Sequence, residues 1–365
     1  MTIAQFNLYR FVLPLSRPLT VKGVTLTERS GHLIELFDEH DHSGLGEVSP
    51  LPGLSAENSA TAQPQLEALR FGLIGREIPD HLEELSGGFE RWLAGFDLAP
   101  SVRFGFESAV LNLCADSRSV PLRRFISDSP RDAVSINGLL SGKVDEILEK
   151  AARLSRDGYR ALKLKVGHRP LQDDISLIRQ VERLVGDAVA VRLDANRAWS
   201  IAEARDFFAG VKGCRIEYIE EPVHSYDALV SLSALTDFPV ALDESLQDMK
   251  PEQLQPLMNL KAIVVKPTLL GLEKSMLFAR RAAGFGIATV VSSSFESSLG
   301  LSALAELAAC LNTDDTPVGL DTLDRFAEDL LVNPLQVEHG RLKLSRSSLH
   351  LNGLRHKLLE EIKGA

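Results

Sequence analysis

From residue 133 onward the chain alternates short apolar runs with helical stretches. VSINGLL, ALKLKV, AVAVRLD, IEYIEE, PVALDE, AIVVKP, IATVVSS and PVGL read as eight strands. Between them, Leu171, Ile175, Ile178, Val181 and Val185 fall on one face of a predicted helix. Strand starts from Val134 to Pro317 recur about every 26 residues, compact but workable for a parallel β/α barrel. A doubly wound open sheet is the alternative at this level. No glycine-rich phosphate loop follows the early strands, which disfavours its dinucleotide-binding form. Residues 1–50 carry strand-like runs in IAQFNLYRFVLPL and HLIELFDEH, closed by the turn-rich SPLPGLS. From Ala56 to about Ala94 leucines fall at helical spacing, and a further helix is predicted near Val102–Ala115. The expected organisation is α/β: an α+β domain over residues 1–105, a barrel over 106–325, and a segment, 326–365, returning to the first domain.

Composition narrows the function. The 365 residues are 44% hydrophobic and 25% charged, ordinary for a globular protein large enough to bury a core. A net charge of −10 disfavours general nucleic-acid binding and gives no bulk attraction to anionic membranes. No stretch of about 18 apolar residues suggests a membrane span, and the N-terminus lacks a basic leader followed by an apolar run. Cys114, Cys214 and Cys310 lie far apart without CxxC or zinc spacing, so a reducing, cytoplasmic setting is expected. Nine histidines include no HExxH.

The chemistry sits at the strand ends, where β/α barrels build their sites. Successive strands end in Lys163-Leu164-Lys165, Arg192-Leu193-Asp194, Glu220-Glu221-Pro222, Asp243-Glu244-Ser245 and Lys266-Pro267. The steps from Lys165 are 29, 26, 23 and 23 residues, each about one β/α unit. Side chains at i and i+2 of a strand share a face, so Lys163 and Lys165 point together, as do Arg192 and Asp194. Any one of these features alone is more often a solvated edge, a helix cap or a turn. Their order along five strands, base, three acids, base, is what argues for a site.

Asp194, Glu220 and Asp243 bring three hard oxygen donors together, a set suited to Mg²⁺, with Mn²⁺ as a substitute. A cation there can stabilise the enediolate formed when a proton is removed beside a substrate carboxylate. A neutral lysine can take that proton, and Lys163 beside Lys165 disfavours the ammonium form. Lys266 is either a second acid/base or a cation over a π-face. The expected partner is a small carboxylated molecule.

KxK, LDANRAW, EEP, LDES and VVKPT resemble the enolase superfamily, whose sites pair a lysine or histidine base with Mg²⁺. GEVSPLPGLS, SVRFGFESA, SINGLLSG, VVKPTLLG, VSSSFESSLGL and GLDTL are more specific and resemble the o-succinylbenzoate synthases of its muconate-lactonizing-enzyme-like subgroup. The resemblance spans nearly the whole chain and implies a capping domain before a modified (β/α)7β barrel. It implies a hydro-lyase of menaquinone biosynthesis that dehydrates 2-succinyl-6-hydroxy-2,4-cyclohexadiene-1-carboxylate. It carries proton abstraction to Lys165, cation–π stabilisation to Lys266 and the succinyl pocket to Ser292, Ser293 and Gly319. Arg192 is a candidate for holding an anionic substrate group or for pairing with a neighbouring acid, and Asn196 for a capping or orienting role. The likeness is poorest around Leu15–Arg29. An N-succinylamino acid racemase or dipeptide epimerase on the same scaffold remains the alternative, and a noncatalytic carboxylate-binding barrel a second.

Overall fold

A computed structural model describes residues 1–311, 314–345 and 348–364. The chain opens with a long antiparallel hairpin, β1 (Gln5–Val21) and β2 (Val24–Phe37), followed by β3 (Ser43–Val48). Helices α1 (Ser59–Leu73), α2 (Gly88–Trp92) and α3 (Pro100–Ser117) follow. The helical pattern read from Ala56 to Ala94 is interrupted between α1 and α2. Gly75, His81, Leu85 and Gly87 there adopt positive φ, which no α-helix accommodates. The predicted helix at Val102–Ala115 is α3, and it crosses residue 105, where a boundary was expected.

Helix α3 is apolar on most of its surface because it lies between layers. Its backbone rests directly on β3, and a Cβ added at Gly46 would meet the Gly105 carbonyl oxygen at 1.9 Å. Only glycine permits that approach.

After α4 (Leu122–Ile126) come β4 (Ala133–Ser135) and the barrel strands β5 (Gly138–Leu140), β6 (Ala161–Lys165), β7 (Ala190–Asp194), β8 (Ile216–Glu220), β9 (Val240–Leu242), β10 (Leu260–Val265) and β11 (Ala288–Val291). These seven form one sheet ordered β11-β10-β9-β8-β7-β6-β5, with parallel neighbours. The eighth predicted strand, PVGL, is reduced to parallel bridges Ile136↔Val318 and Ser292↔Gly319. These join the two sheet edges and close the barrel. Helices α5 (Val144–Arg156), α6 (Leu171–Val185), α7 (Ile201–Gly210), α8 (Tyr226–Ser233), α9 (Pro267–Leu270), α10 (Leu272–Ala283) and α11 (Ser298–Leu311) complete the repeat. The structure is therefore the expected α/β architecture. The tail pairs twice: β12 (Val337–Glu338) and β13 (Arg341–Lys343) form a small sheet with β4, and β14 (Leu359–Glu361) adds to β1. Among the described residues no helix is long and apolar enough to cross a membrane.

Glu107 of α3 gives this interior a measurable signature. Its buried carboxylate accepts the Glu273 N–H at 2.9 Å, and burial pushes its pKa up to about 8 from 4.5. The folded state then binds a proton that the unfolded chain releases above pH 4.5. That stability is full below pH 4.5 and lost as pH rises towards 8. Glu107→Gln keeps the acceptor and removes the titration. Melting scans from pH 5 to 9 are expected to show the variant gaining on the parent as pH rises; parallel curves would contradict this.

Candidate active site

Strand register builds the mouth. Lys165 of β6 pairs beside Asp194 of β7, and Asp194 beside Glu220 of β8. Asp243 follows the end of β9 and Lys266 the end of β10. Lys163 Nζ lies 2.5 Å from Glu220 Oε2 and 3.0 Å from Asp194 Oδ2, and Lys266 Nζ lies 2.5 Å from Asp243 Oδ2. Lys165 is different: its Nζ donates to Asn196 Oδ1 at 2.6 Å and stays 3.6 Å from Asp194. Its side chain is 42% exposed, against 11% for Lys163 and 13% for Lys266. Lys165 is thus the amine presented to the cavity, while Lys163 is committed to the acids.

The cavity measures about 570 Å³, within the usual range for small-molecule sites. The barrel mouth forms its floor, and the β1–β2 hairpin tip, Leu19–Gly23, contributes to its wall. Lys163, Lys165, Asp194, Lys266, Ser292, Ser293 and Gly319 line it, with Glu220 and Asp243 buried immediately behind. Arg192 is a correction. Its guanidinium is fully buried, paired with Glu217 at 2.7 Å and donating to the Pro317 carbonyl at 2.6 Å. It stacks over Tyr218 and fills the barrel interior one layer below Asp194, away from the cavity lining. The i, i+2 argument gave the right face but could not give the depth.

The two serines differ. Ser293 Oγ donates to Glu296 Oε2 at 2.7 Å and receives the Phe295 N–H, so its proton is already used. Ser292 Oγ has a long contact with the Gly319 carbonyl at 3.4 Å and is freer to meet a ligand. A Cβ at Gly319 would come within 2.6 Å of that hydroxyl, so the glycine keeps the two crossing backbones close.

The sequence reading assigned no role to several supporting residues. Glu221 accepts the Asp243 and Ser245 backbone N–H groups at 2.9 and 2.8 Å, fixing the strand end that carries Asp243. Buried Arg29 donates to the carbonyls of Ser49, Pro50 and Phe295, bolting the capping domain to the loop after β11. Glu47 accepts Ser49 Oγ and the Ser297 and Gly300 N–H groups across the same seam. GEVSP and SSSFESSLG were legible as motifs, but not as two halves of one interdomain contact.

The electrostatics suit a cation. Burial opposes ionisation of Asp194, yet Lys163, Lys165 and Lys266 outweigh it and hold the carboxyl below its ordinary range. Burial raises Glu220 to about 7, and burial likewise raises Asp243. Burial depresses Lys163 and Lys266, but the neighbouring carboxylates win and raise both. Three buried carboxylates on successive strand ends form a hard-oxygen set, which fits a divalent metal. Each is turned onto a lysine here. Among the described residues, the group with three potential ligand atoms inside 4.8 Å is instead Asp38, His40 and His42 at the β2–β3 turn. There Asp38 is occupied by the His42 ring and by the backbone N–H groups of His40 and His42.

Fold and site together define an enolase-type barrel. The family model Enolase C-terminal domain-like matches residues 146–348, and MenC, N-terminal domain, matches 3–113. Solved structures agree in fold. The L-Ala-D/L-Glu epimerase of Bacillus subtilis superposes with a TM-score of 0.84 at 23% identity over 97% of this chain and 100% of that one. The muconate lactonizing enzyme of Pseudomonas fluorescens gives 0.83 at 22% over 97% and 96%. The o-succinylbenzoate synthase of Aliivibrio fischeri is 33% identical over 89% of this chain and 92% of its own, and that of Haemophilus influenzae is 31% identical over 89% and 92%. The chain also matches Protein PHYLLO, chloroplastic, of Arabidopsis thaliana at 32% identity, spanning 22% of that longer protein. The chain belongs to the o-succinylbenzoate synthase family of the enolase superfamily.

Proposed function

We propose that this chain is a hydro-lyase converting 2-succinyl-6-hydroxy-2,4-cyclohexadiene-1-carboxylate into o-succinylbenzoate and water, a step of menaquinone biosynthesis. The observation that carries the reading is Lys165, the exposed amine on one side of a cavity lined by Asp194, with Glu220 and Asp243 buried behind it. In its neutral form Lys165 takes the proton beside the ring carboxylate, and that C–H electron pair moves into the carboxylate as an enediolate. The pair then returns to form the ring double bond and expel the hydroxyl. The Lys165 ammonium returns its proton to that hydroxyl, which leaves as water.

Asn196 aims the Lys165 amine, and Lys163 holds Asp194 and Glu220 in place. Lys266 supplies positive charge from the other side of the mouth. Ser292 and Gly319 shape the succinyl end, with Ser293 orienting the loop between them. Enolase-superfamily enzymes use a divalent metal, here read as Mg²⁺ with Mn²⁺ as substitute. Asp194, Glu220 and Asp243 would hold it, and its charge would stabilise the substrate carboxylate and the enediolate. A small carboxylated metabolite in the cytoplasm is the partner this reading requires.

Lys266 facing Lys165 also suits racemisation, which needs an acid/base on each face. A one-face elimination needs only Lys165. The expected result is a higher kcat/KM for the cyclohexadiene than for any member of an N-succinylamino acid panel. A tenfold advantage for an amino acid, about 1.4 kcal/mol in transition-state stabilisation, would reverse the assignment.

A further inference from the structure

The hairpin tip carries a lysine that the motifs do not explain. Val21 pairs with Val24, leaving Lys22 and Gly23 as a two-residue turn with φ of 45° and 83°. Positive φ at both central residues is the type I′ pattern that tight hairpins need, and a lysine in that region is strained. The turn is lodged rather than free, because a Cβ at Gly53 would meet the Val21 carbonyl oxygen at 2.5 Å. It places Lys22 Nζ 3.4 Å from Glu244 Oε1, on the cavity wall.

Glu244 is 8% exposed, and the same Oε1 accepts Asn196 Nδ2 at 3.2 Å. Asn196 Oδ1 in turn accepts Lys165 Nζ at 2.6 Å. The Asn196 amide is planar, so its two ends cannot be reoriented independently. Its backbone is pinned as well, at φ 46°, with its N–H given to Asp194 Oδ1. A continuous polar chain therefore runs from the capping domain, Lys22, through Glu244 and Asn196 to the amine of Lys165. Glu244 Oε2 has no hydrogen-bond partner among the described residues. Without Lys22 this buried carboxylate would keep the Asn196 hydrogen bond and the field of Lys266 but lose its contact with the capping hairpin, and would be freer to turn, taking Asn196 with it.

We propose that Lys22 is a positioning residue that couples seating of the capping hairpin to the aim of Lys165. The kinetic half of the claim rests on the dehydration reading above; the coupling itself does not. Lys22 touches neither the proton nor the leaving hydroxyl, so its loss acts on kcat through misplacement of the base.

The test compares Lys22→Met, Lys22→Arg and Glu244→Gln in the full chain. For dehydration, Lys22→Met is expected to lower kcat about tenfold, since small misplacements of reacting groups are costly, with KM changed less than twofold. Lys22→Arg should recover most of the loss. Deuterium at the abstracted position should slow Lys22→Met at least as much as the parent, because proton transfer has become harder. Independently of any activity, hydrogen exchange at the Leu19–Thr25 amides should quicken in both Lys22→Met and Glu244→Gln. A higher KM at unchanged kcat would make Lys22 a substrate-capture group and overturn the proposal. A parent enzyme inactive on the cyclohexadiene defeats the activity reading instead, and the exchange rates then decide: unchanged hairpin exchange in both variants overturns the coupling.

Discussion

Replacing Lys165 with alanine is expected to lower kcat for the dehydration by at least about 10²–10⁴-fold, the usual contribution of a positioned acid/base. Two steps pass through the same amine, proton removal and proton return, so the loss belongs at or beyond the top of that range. The fold should survive. Lys165 is 42% exposed and 3.6 Å from Asp194, so its removal leaves no buried charge unpaired: Lys163 still holds Asp194 at 3.0 Å. Circular dichroism and melting should match the parent while single-turnover rates collapse. A Lys165→Ala enzyme with near-parental kcat and intact fold would remove the base from the mechanism. Lys163→Ala is a different experiment, because it strips the buried ammonium that Asp194 and Glu220 share. A broad loss of stability is expected there, and activity alone could not separate the two causes.

The barrel was legible because each strand carries its own signal: an apolar run, a charged end and a spacing of one β/α unit. The strand-end acids and lysines followed from that spacing, and register then set Lys165, Asp194 and Glu220 side by side. Arg192 marks the limit of the same reasoning. Two residues before Asp194 it shares the inward face, but one layer deeper the partner is Glu217. Layer depth depends on barrel tilt and stagger, which strand sequence alone does not disclose.

The capping contacts were illegible for another reason. Arg29 reaches Phe295 across 266 residues and Lys22 reaches Glu244 across more than 200, and no local period links such pairs. The eighth strand was readable as PVGL although it survives only as two bridges, since its apolar character is needed to close the sheet edges. The helical spacing after α1 misled because leucines also fill irregular turns when these are buried, as Leu82 and Leu85 are.

Chelation is expected to abolish turnover, with Mg²⁺ restoring it, and the carboxylates should report the ion without any assay of activity. A ligand that binds only the folded state stabilises it by about 2.7 kcal/mol at a hundred times its Kd. The parent enzyme should therefore melt several degrees higher in millimolar Mg²⁺. Asp194→Asn is nearly isosteric and keeps Lys163 paired with Glu220 at 2.5 Å, so the barrel should stay folded. It removes one of three anions, and that should blunt the Mg²⁺-dependent rise in melting temperature along with activity. Asp38→Asn serves as the control, since Asp38, His40 and His42 bring three potential ligand atoms together outside the cavity lining. Because Asp38 already serves the turn and the His42 ring, that variant should keep both the Mg²⁺ shift and turnover. If instead Asp38→Asn loses the shift while Asp194→Asn retains it, the three strand-end acids are not the metal site. The buried negative charge at the barrel mouth would then be balanced by Lys163, Lys165 and Lys266.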